Sequence, residues 1–142
     1  MTSPAPTTPR LAIEPGSDSY VPGVCNIGPW EIRRRWIGGI LGLAAAAVLL
    51  ALLIAVHAPV FARVLVLLPA WGGAFSVLQA RRRFCGAYAM RGISNFGLDL
   101  GTIRQVEDDA AHRADMAALV RMTRDSFLVG LVITVIALLL PL

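Results

Sequence analysis

The sequence predicts an all-α membrane protein with three transmembrane helices, arranged as an antiparallel hairpin plus a C-terminal span, and with a cytoplasmic amphipathic helix. Three observations lead to this prediction. Hydrophobic residues make up 56% of the 142 residues, with a mean hydropathy of +0.67. The apolar residues are concentrated in long runs, and arginines cluster at the ends of those runs. Soluble domains of this size are less apolar, and runs of this length match the thickness of a bilayer.

The chain divides into four predicted segments. Residues 1–23 are rich in Pro, Ser and Thr and have few side chains that can bury area, so we predict a disordered cytoplasmic tail there. Residues 24–97 are predicted to form a transmembrane hairpin with juxtamembrane caps, residues 98–125 a cytoplasmic helix, and residues 126–142 the third transmembrane span. The tail contains no apolar run of the kind found in secretory signals, so we expect no cleavable signal.

The first span is predicted at about residues 36–56. The run from Trp36 to Val56 contains no charged residue, and as a helix it would rise about 31 Å, close to the hydrocarbon thickness of a bilayer. We expect the helix to begin earlier, at "GPWEI". Pro29 suits the first helical position, and Glu31 suits the positive N-terminal end of a helix.

The second span is predicted at about residues 60–80. Only His57, Ala58 and Pro59 separate it from the first span. A connection this short makes the two helices an antiparallel hairpin. Pro69, inside the second apolar run, is expected to kink its helix.

The predicted cytoplasmic helix begins at "TIRQ", which has the pattern of a capping box with Thr102 as the N-cap. Its solvated face is predicted to hold His112 and Asp115. No helix breaker separates it from the third apolar run, so one continuous helix and two helices meeting at a bend both remain open. The predicted packing stripe has apolar residues at helical spacing: Ile103, Val106, Ala110, Ala114, Ala117 and Val120.

The positions of the arginines predict the orientation in the membrane. Five arginines precede the third span, whereas only Arg63 lies at the opposite end of the hairpin. By the positive-inside rule we predict a multi-pass protein of the bacterial inner membrane, with its N-terminus in the cytoplasm and its C-terminus outside. Arg63 is expected to snorkel to the outer headgroups. The predicted inner-leaflet anchors are the two arginine triplets that flank the hairpin: Arg33, Arg34, Arg35, Arg81, Arg82 and Arg83.

Each predicted span also carries a stripe of small residues. Lipid removes the hydrophobic drive between helices, so close packing depends on residues that let two backbones approach. We therefore expect a tight bundle, within one chain or between chains. The expected partners are membrane lipid and either further copies of this chain or the other subunits of a larger membrane complex. The predicted helix-packing residues are Gly38, Gly42, Ala70, Ala74, Gly130 and Thr134.

The two cysteines flank the hairpin. Cys25 precedes the first span and Cys85 follows the second, so the hairpin should bring both to the same membrane face. Three interpretations stay open: small semi-buried residues of a juxtamembrane cap, a redox or persulfide-carrying thiol pair activated by nearby arginines, and a metal site. Neither cysteine has a second ligand at metal-binding spacing, so we expect no metal and no cofactor.

The order of these motifs resembles a known family. "CNIG", an arginine cluster, a glycine-bearing helix, a short turn, a second helix and "FCGAY" resemble the YgaP-type transmembrane hairpin of bacteria, over roughly residues 24–97. The pattern "CNIGP…NFG" is also similar to that of small uncharacterised bacterial membrane proteins. The resemblance implies a homodimer formed through the glycine faces. It does not extend to sulfur transfer, because no rhodanese domain is present and Cys85-Gly86 replaces the family's Cys-Pro.

For function, the sequence predicts a non-enzymatic accessory or scaffold subunit that assembles through small-residue helix faces. No serine–histidine–acid set, phosphate-cradling glycine loop or pair of carboxylates within the spans is visible. Two alternatives stay open. One is thiol redox or sulfur handling at the cytoplasmic face by Cys25 and Cys85, and the other is an oligomeric transporter or channel component. Nucleic acid is not an expected partner, because the arginines cluster at the ends of apolar runs.

Overall fold

A computed structural model describes residues 20–97 and 103–141 of the chain. The described chain is mostly helical, and three helices are long and apolar enough to cross a membrane. The prediction of a helical chain with three helices of this kind is therefore confirmed. The predicted tail up to residue 19 and the predicted cap residue Thr102 lie outside the described residues. The elements, in chain order, are helix α1 (Pro29–Ala55), a 3₁₀ segment (Val60–Val66), helix α2 (Leu67–Arg81), helix α3 (Gly86–Arg91), strands β1 (Ile93–Asn95) and β2 (Ile103–Gln105), and helix α4 (Asp109–Leu139).

Helix α1 begins where the sequence predicts. Pro29 occupies the first turn after the extended residue Gly28, and Glu31 lies in the same turn, close to the positive end of the helix. At the other end the chain reverses through His57, whose φ of 53° lies in the left-handed region. The turn is closed by a hydrogen bond that the His57 N–H donates to the Ile54 carbonyl.

The second span consists of two kinds of helix joined end to end. Its first part is a 3₁₀ helix, and α2 begins at Leu67. Pro69 therefore lies in the first turn of α2, where backbone N–H groups have no partner within the α-helix and a missing donor breaks no bond. The change of helix type ahead of Pro69 is how this span accommodates the proline.

Helices α1 and α2 pack closely at their glycines. A Cβ added to Gly42 would lie 2.7 Å from the Gly73 Cα, and one added to Gly73 would lie 2.7 Å from the Leu43 nitrogen. Backbones can approach this closely only where neither residue has a side chain. Ala70 and Ala74 of α2 are also buried. The small-residue stripes of the first two spans are therefore in contact within a single chain.

Helix α4 joins the predicted cytoplasmic helix and the third span into one continuous helix, Asp109–Leu139. The predicted start at the capping box is wrong, because Ile103–Gln105 form strand β2, paired antiparallel with β1. The cap is supplied instead by Asp108, whose carboxylate accepts a hydrogen bond from the Ala110 N–H at 3.1 Å.

One stripe of α4 is buried along the whole helix, and its phase differs from the predicted stripe. Ala110, Ala117 and Val120, predicted to pack, are exposed. Asp115, predicted on the solvated face, has no exposed surface. The buried stripe consists of Ala111, Asp115, Ala118, Met122, Ser126, Gly130, Thr134 and Ala137.

The C-terminal half of α4 packs against α2 around Trp71. A Cβ added to Gly130 would lie 2.9 Å from the Trp71 Cα, so Gly130 allows this contact. The Trp71 indole Nε1 donates to the Ser126 hydroxyl at 3.2 Å, and the Thr134 hydroxyl donates to the Gly130 carbonyl at 2.9 Å. These bonds satisfy the polar groups on the packed faces of the two helices.

Arg63 lies inside the protein, so the predicted snorkelling is wrong. Arg63 is 4% exposed, and its Nη1 donates to the carbonyls of Ala137 at 3.0 Å and Leu140 at 3.1 Å. The last carbonyls of a helix have no intrahelical donors and carry partial negative charge, so a guanidinium both satisfies and stabilises them. This contact places the end of α4 beside the start of the second span.

Candidate functional site

The arginine-bearing end of the bundle carries a folded structure that we call the juxtamembrane cap, formed by residues 20–28, 83–97 and 103–125. In it, the two halves of the "CNIGP…NFG" pattern bind each other. Ile27 and Asn95 form a parallel bridge, and the Gly28 N–H donates to the Asn95 carbonyl at 2.9 Å. A Cβ on Gly28 would lie 2.8 Å from the Phe96 carbonyl oxygen, so this crossing requires glycine. The two sequence motifs are therefore parts of one structural unit.

Asn26 is the central residue of the cap. It has no exposed surface. Its side chain pairs with both backbone groups of Cys85: Nδ2 donates to the Cys85 carbonyl at 3.0 Å, and Oδ1 accepts from the Cys85 N–H at 2.7 Å. Its own N–H donates to the Arg83 carbonyl, and its carbonyl accepts from the Asn95 N–H. A single asparagine thus joins the chain before α1 to the chain after α2.

The two thiols lie in these joined segments, and neither forms a disulfide within the described residues. Cys85 has no exposed surface, and its Sγ accepts a hydrogen bond from Nη2 of Arg35 at 3.0 Å. Cys25 is half-buried, and its Sγ donates to the Ile27 carbonyl at 3.7 Å. The structure brings the segments of the predicted pair together through Asn26, but it gives the two sulfurs different surroundings and different access.

A buried carboxylate lies beside the Cys85 segment. Glu31 is 2% exposed and accepts from the Arg34 guanidinium at 3.2 Å and from the Tyr88 hydroxyl at 3.3 Å. Arg35 lies 3.7 Å from its second oxygen. Burial raises the pKa of the Tyr88 hydroxyl, and the Glu31 carboxylate raises it further, so Tyr88 remains a donor. Of the predicted anchors, Arg34 and Arg35 thus also neutralise this carboxylate.

Asp115 joins the N-terminal segment to α4. Its buried carboxylate accepts from the Tyr20 hydroxyl at 2.8 Å and from the Gly23 N–H at 2.6 Å. Burial and then the Asp115 carboxylate raise the pKa of Tyr20 well above its usual value. Residues 20–23, predicted as the end of a disordered tail, therefore pack on the helix. This contact also explains why Asp115 lies on the buried side of α4.

An open cleft of about 580 Å³ lies between the end of α2 and α4, beneath the chain that carries Cys25. Four arginines are among the residues that line it: Arg81, Arg82, Arg83 and Arg121. Its inner surface includes Phe84, which is 2% exposed. The sequence identified the first three arginines as anchors but could not show that α4 adds a fourth.

The described residues contain no group of three or more His, Cys, Asp or Glu side chains that could hold a metal ion. The three long apolar helices are typical of a multi-pass membrane protein. Comparison with protein-family models, curated proteins and solved structures finds no match to this chain.

Proposed function

We propose that this chain is a non-enzymatic accessory or scaffold subunit of a larger complex in the bacterial inner membrane. The observation that supports this proposal is the juxtamembrane cap, in which buried polar contacts fix a hydrophilic structure on a three-helix bundle. That fixed structure exposes large apolar side chains: Val24 is 61% exposed, Met90 62% and Val120 65%. Apolar groups displayed on a rigid frame are suited to docking another protein.

The proposed orientation has the cap in the cytoplasm and the end of α4 outside. Both arginine triplets lie at the cap end of the bundle, where the Ser76 hydroxyl of α2 donates to the Arg35 carbonyl of α1. Arg63, at the opposite end, is buried and donates hydrogen bonds to helix carbonyls. The exposed positive charge is therefore concentrated at one end, which favours retention of that end in the cytoplasm.

The glycine contacts favour assembly through the cap over assembly through the glycine faces. Gly42 and Gly73 already contact each other within one chain. A homodimer formed through the same glycines, as the family resemblance implies, would compete with this internal packing. We therefore propose the exposed apolar residues of the cap as the contacts with partner subunits.

Substitution of these apolar residues provides the test. We expect Val24→Asp, Met90→Asp and Val120→Asp, made together, to abolish co-purification of partner proteins in mild detergent. The side chains are mostly exposed, so the free energy of unfolding should change by about 0.5 kcal/mol or less at each site. Mass spectrometry of the purified complex measures the loss, and circular dichroism confirms that the chain remains folded.

The matched control is Arg113→Ala, which alters an exposed cap residue without touching the apolar ones. It should retain the wild-type set of partners. The proposal is wrong if the wild-type chain purifies with no partner protein, or if the triple variant keeps all of them.

The contact between Arg35 and the Cys85 sulfur favours a second candidate function, thiol chemistry at the cytoplasmic face. That function requires both thiols to be reachable, and Cys85 has no exposed surface. We expect native alkylation to label Cys25 about tenfold or more faster than Cys85, because a buried thiol reacts only when the structure opens. Peptide mass spectrometry after timed labelling gives both rates. Equal, rapid labelling of the two cysteines would instead support the thiol function.

A further inference from the structure

The open cleft between the end of α2 and α4, which we call the arginine cleft, combines charges from two separate elements. Arg81, Arg82 and Arg83 come from the end of α2, and Arg121 comes from α4, and the structure describes no carboxylate among the residues that line the cleft. Like charges in one cleft repel each other, so a bound anion would stabilise the arrangement. A guanidinium presents paired N–H donors that match the oxygens of a phosphate group.

Most of these guanidinium groups are available to a ligand. Arg82 forms an ion pair with Asp125 at 2.6 Å. Within residues 20–97 and 103–141, Arg81, Arg83 and Arg121 form no ion pair with a carboxylate. Three of the four cations therefore remain uncompensated.

The position of Arg83 is fixed by its backbone. Its φ of 52° lies in the left-handed region, which is uncommon for a residue with a side chain. Its carbonyl accepts the Asn26 N–H at 3.1 Å, which stabilises this conformation. The cap thus fixes the backbone from which the Arg83 side chain extends.

The remaining lining is apolar. Phe84, Ala118 and Met122 are 2%, 8% and 1% exposed and form the inner surface, and the exposed side chain of Val24 forms part of the outer wall. The cleft begins where the apolar part of the second span ends. A site with cations, an apolar lining and a position at the end of a span suits an amphiphile better than a small free anion.

We propose that this cleft binds the phosphate headgroup of an anionic phospholipid, with Arg81, Arg83 and Arg121 on the phosphate oxygens and the apolar lining against the glycerol and upper acyl region. Of the partner-docking residues proposed above, Val24 also lines this cleft, whereas Met90 and Val120 lie outside its lining. The bound lipid would fix the position of the cap relative to the membrane surface.

The test uses the full chain purified in zwitterionic mixed micelles, with phosphatidylglycerol, phosphatidylcholine or inorganic phosphate as the added probe. Phosphatidylglycerol should raise the thermal midpoint of the wild type, whereas the other two should not. Arg81→Gln, Arg83→Gln and Arg121→Gln, made together, should weaken apparent phosphatidylglycerol binding about 100-fold, because each arginine near an anionic headgroup contributes substantially. Arg121→Gln alone, on a different element from the triplet, should weaken it about fivefold.

The matched control removes the same charge outside the cleft, through Arg91→Gln, Arg104→Gln and Arg113→Gln, all exposed positions. It should weaken binding about threefold or less, because exposed charges at a distance are screened by salt. Equal losses in the two triple variants would show diffuse attraction and overturn the proposal. Stabilisation by inorganic phosphate equal to that by phosphatidylglycerol would overturn the lipid assignment in favour of a free phosphate site.

Discussion

Replacing Gly73 by leucine is expected to separate helices α1 and α2 and to lower the free energy of unfolding by about 3 kcal/mol or more, at the upper end of the cost of overpacking. Even the first carbon of a side chain at this position would lie 2.7 Å from the Leu43 nitrogen and 2.9 Å from the Gly42 carbonyl carbon. Both atoms belong to the backbone of α1, so the overlap cannot be relieved by a rotamer change. Denaturation in mixed micelles, followed by circular dichroism, measures the loss.

The neighbouring glycine supplies the control. A Cβ on Gly72 would meet no atom within 4 Å, and the residue is exposed. Gly72→Leu should therefore change stability by about 0.5 kcal/mol or less, apart from a small gain from better helix propensity. Of two adjacent glycines in one helix, only Gly73 should thus be sensitive to substitution by leucine. Equal damage by both substitutions would contradict the packing of α1 against α2 described above.

The spans could be predicted from the sequence because their signals are local. A long charge-free run, a proline at its start and a short turn after it determine α1 and the hairpin without reference to the rest of the chain. Gly130 and Thr134 could also be predicted as packing residues, because the packed face of an apolar helix carries its small and polar residues.

The phase of the cap half of α4 could not be predicted in the same way. Alanines occur on several faces of this helix, so Ala110 and Ala117 fit one helical stripe as well as Ala111 and Ala118 fit another. The choice between them depends on Asp115, and Asp115 is buried because Tyr20 and Gly23 bind it from 92 or more residues away in sequence. A contact at that separation leaves no periodic signal.

Arg63 shows the same limit. A lone arginine near a helix end is normally expected to reach the headgroups. Its partners are the carbonyls of Ala137 and Leu140, which belong to a helix 74 or more residues later. Any helix end could have supplied such carbonyls, and only the three-dimensional arrangement identifies this one.

Replacing Asn26 by leucine is expected to open the juxtamembrane cap and leave the three spans folded. The substitution leaves the Cys85 N–H buried without a partner, whereas the Cys85 carbonyl keeps the hydrogen bond that the Ala89 N–H donates at 3.0 Å. A buried N–H without a partner costs about 2 kcal/mol. Amide hydrogen exchange at Cys85 and Asn95 should therefore accelerate about 30-fold.

The control is Ser76→Ala, which removes one hydrogen bond between α1 and α2 and touches no cap backbone group. It should leave exchange at Cys85 and Asn95 unchanged, whereas unchanged exchange in Asn26→Leu would contradict the role of Asn26 in the cap.

The Asn26→Leu substitution should also affect the arginine cleft. The Asn26 N–H donates to the Arg83 carbonyl, and Asn26 directly follows Cys25 in the chain; both Arg83 and Cys25 line the cleft. If the cap positions the cleft, Asn26→Leu should weaken phosphatidylglycerol binding although it removes no charge. If Asn26→Leu keeps its phosphatidylglycerol binding although amide exchange at Cys85 and Asn95 is rapid, the arginines bind lipid without a folded cap.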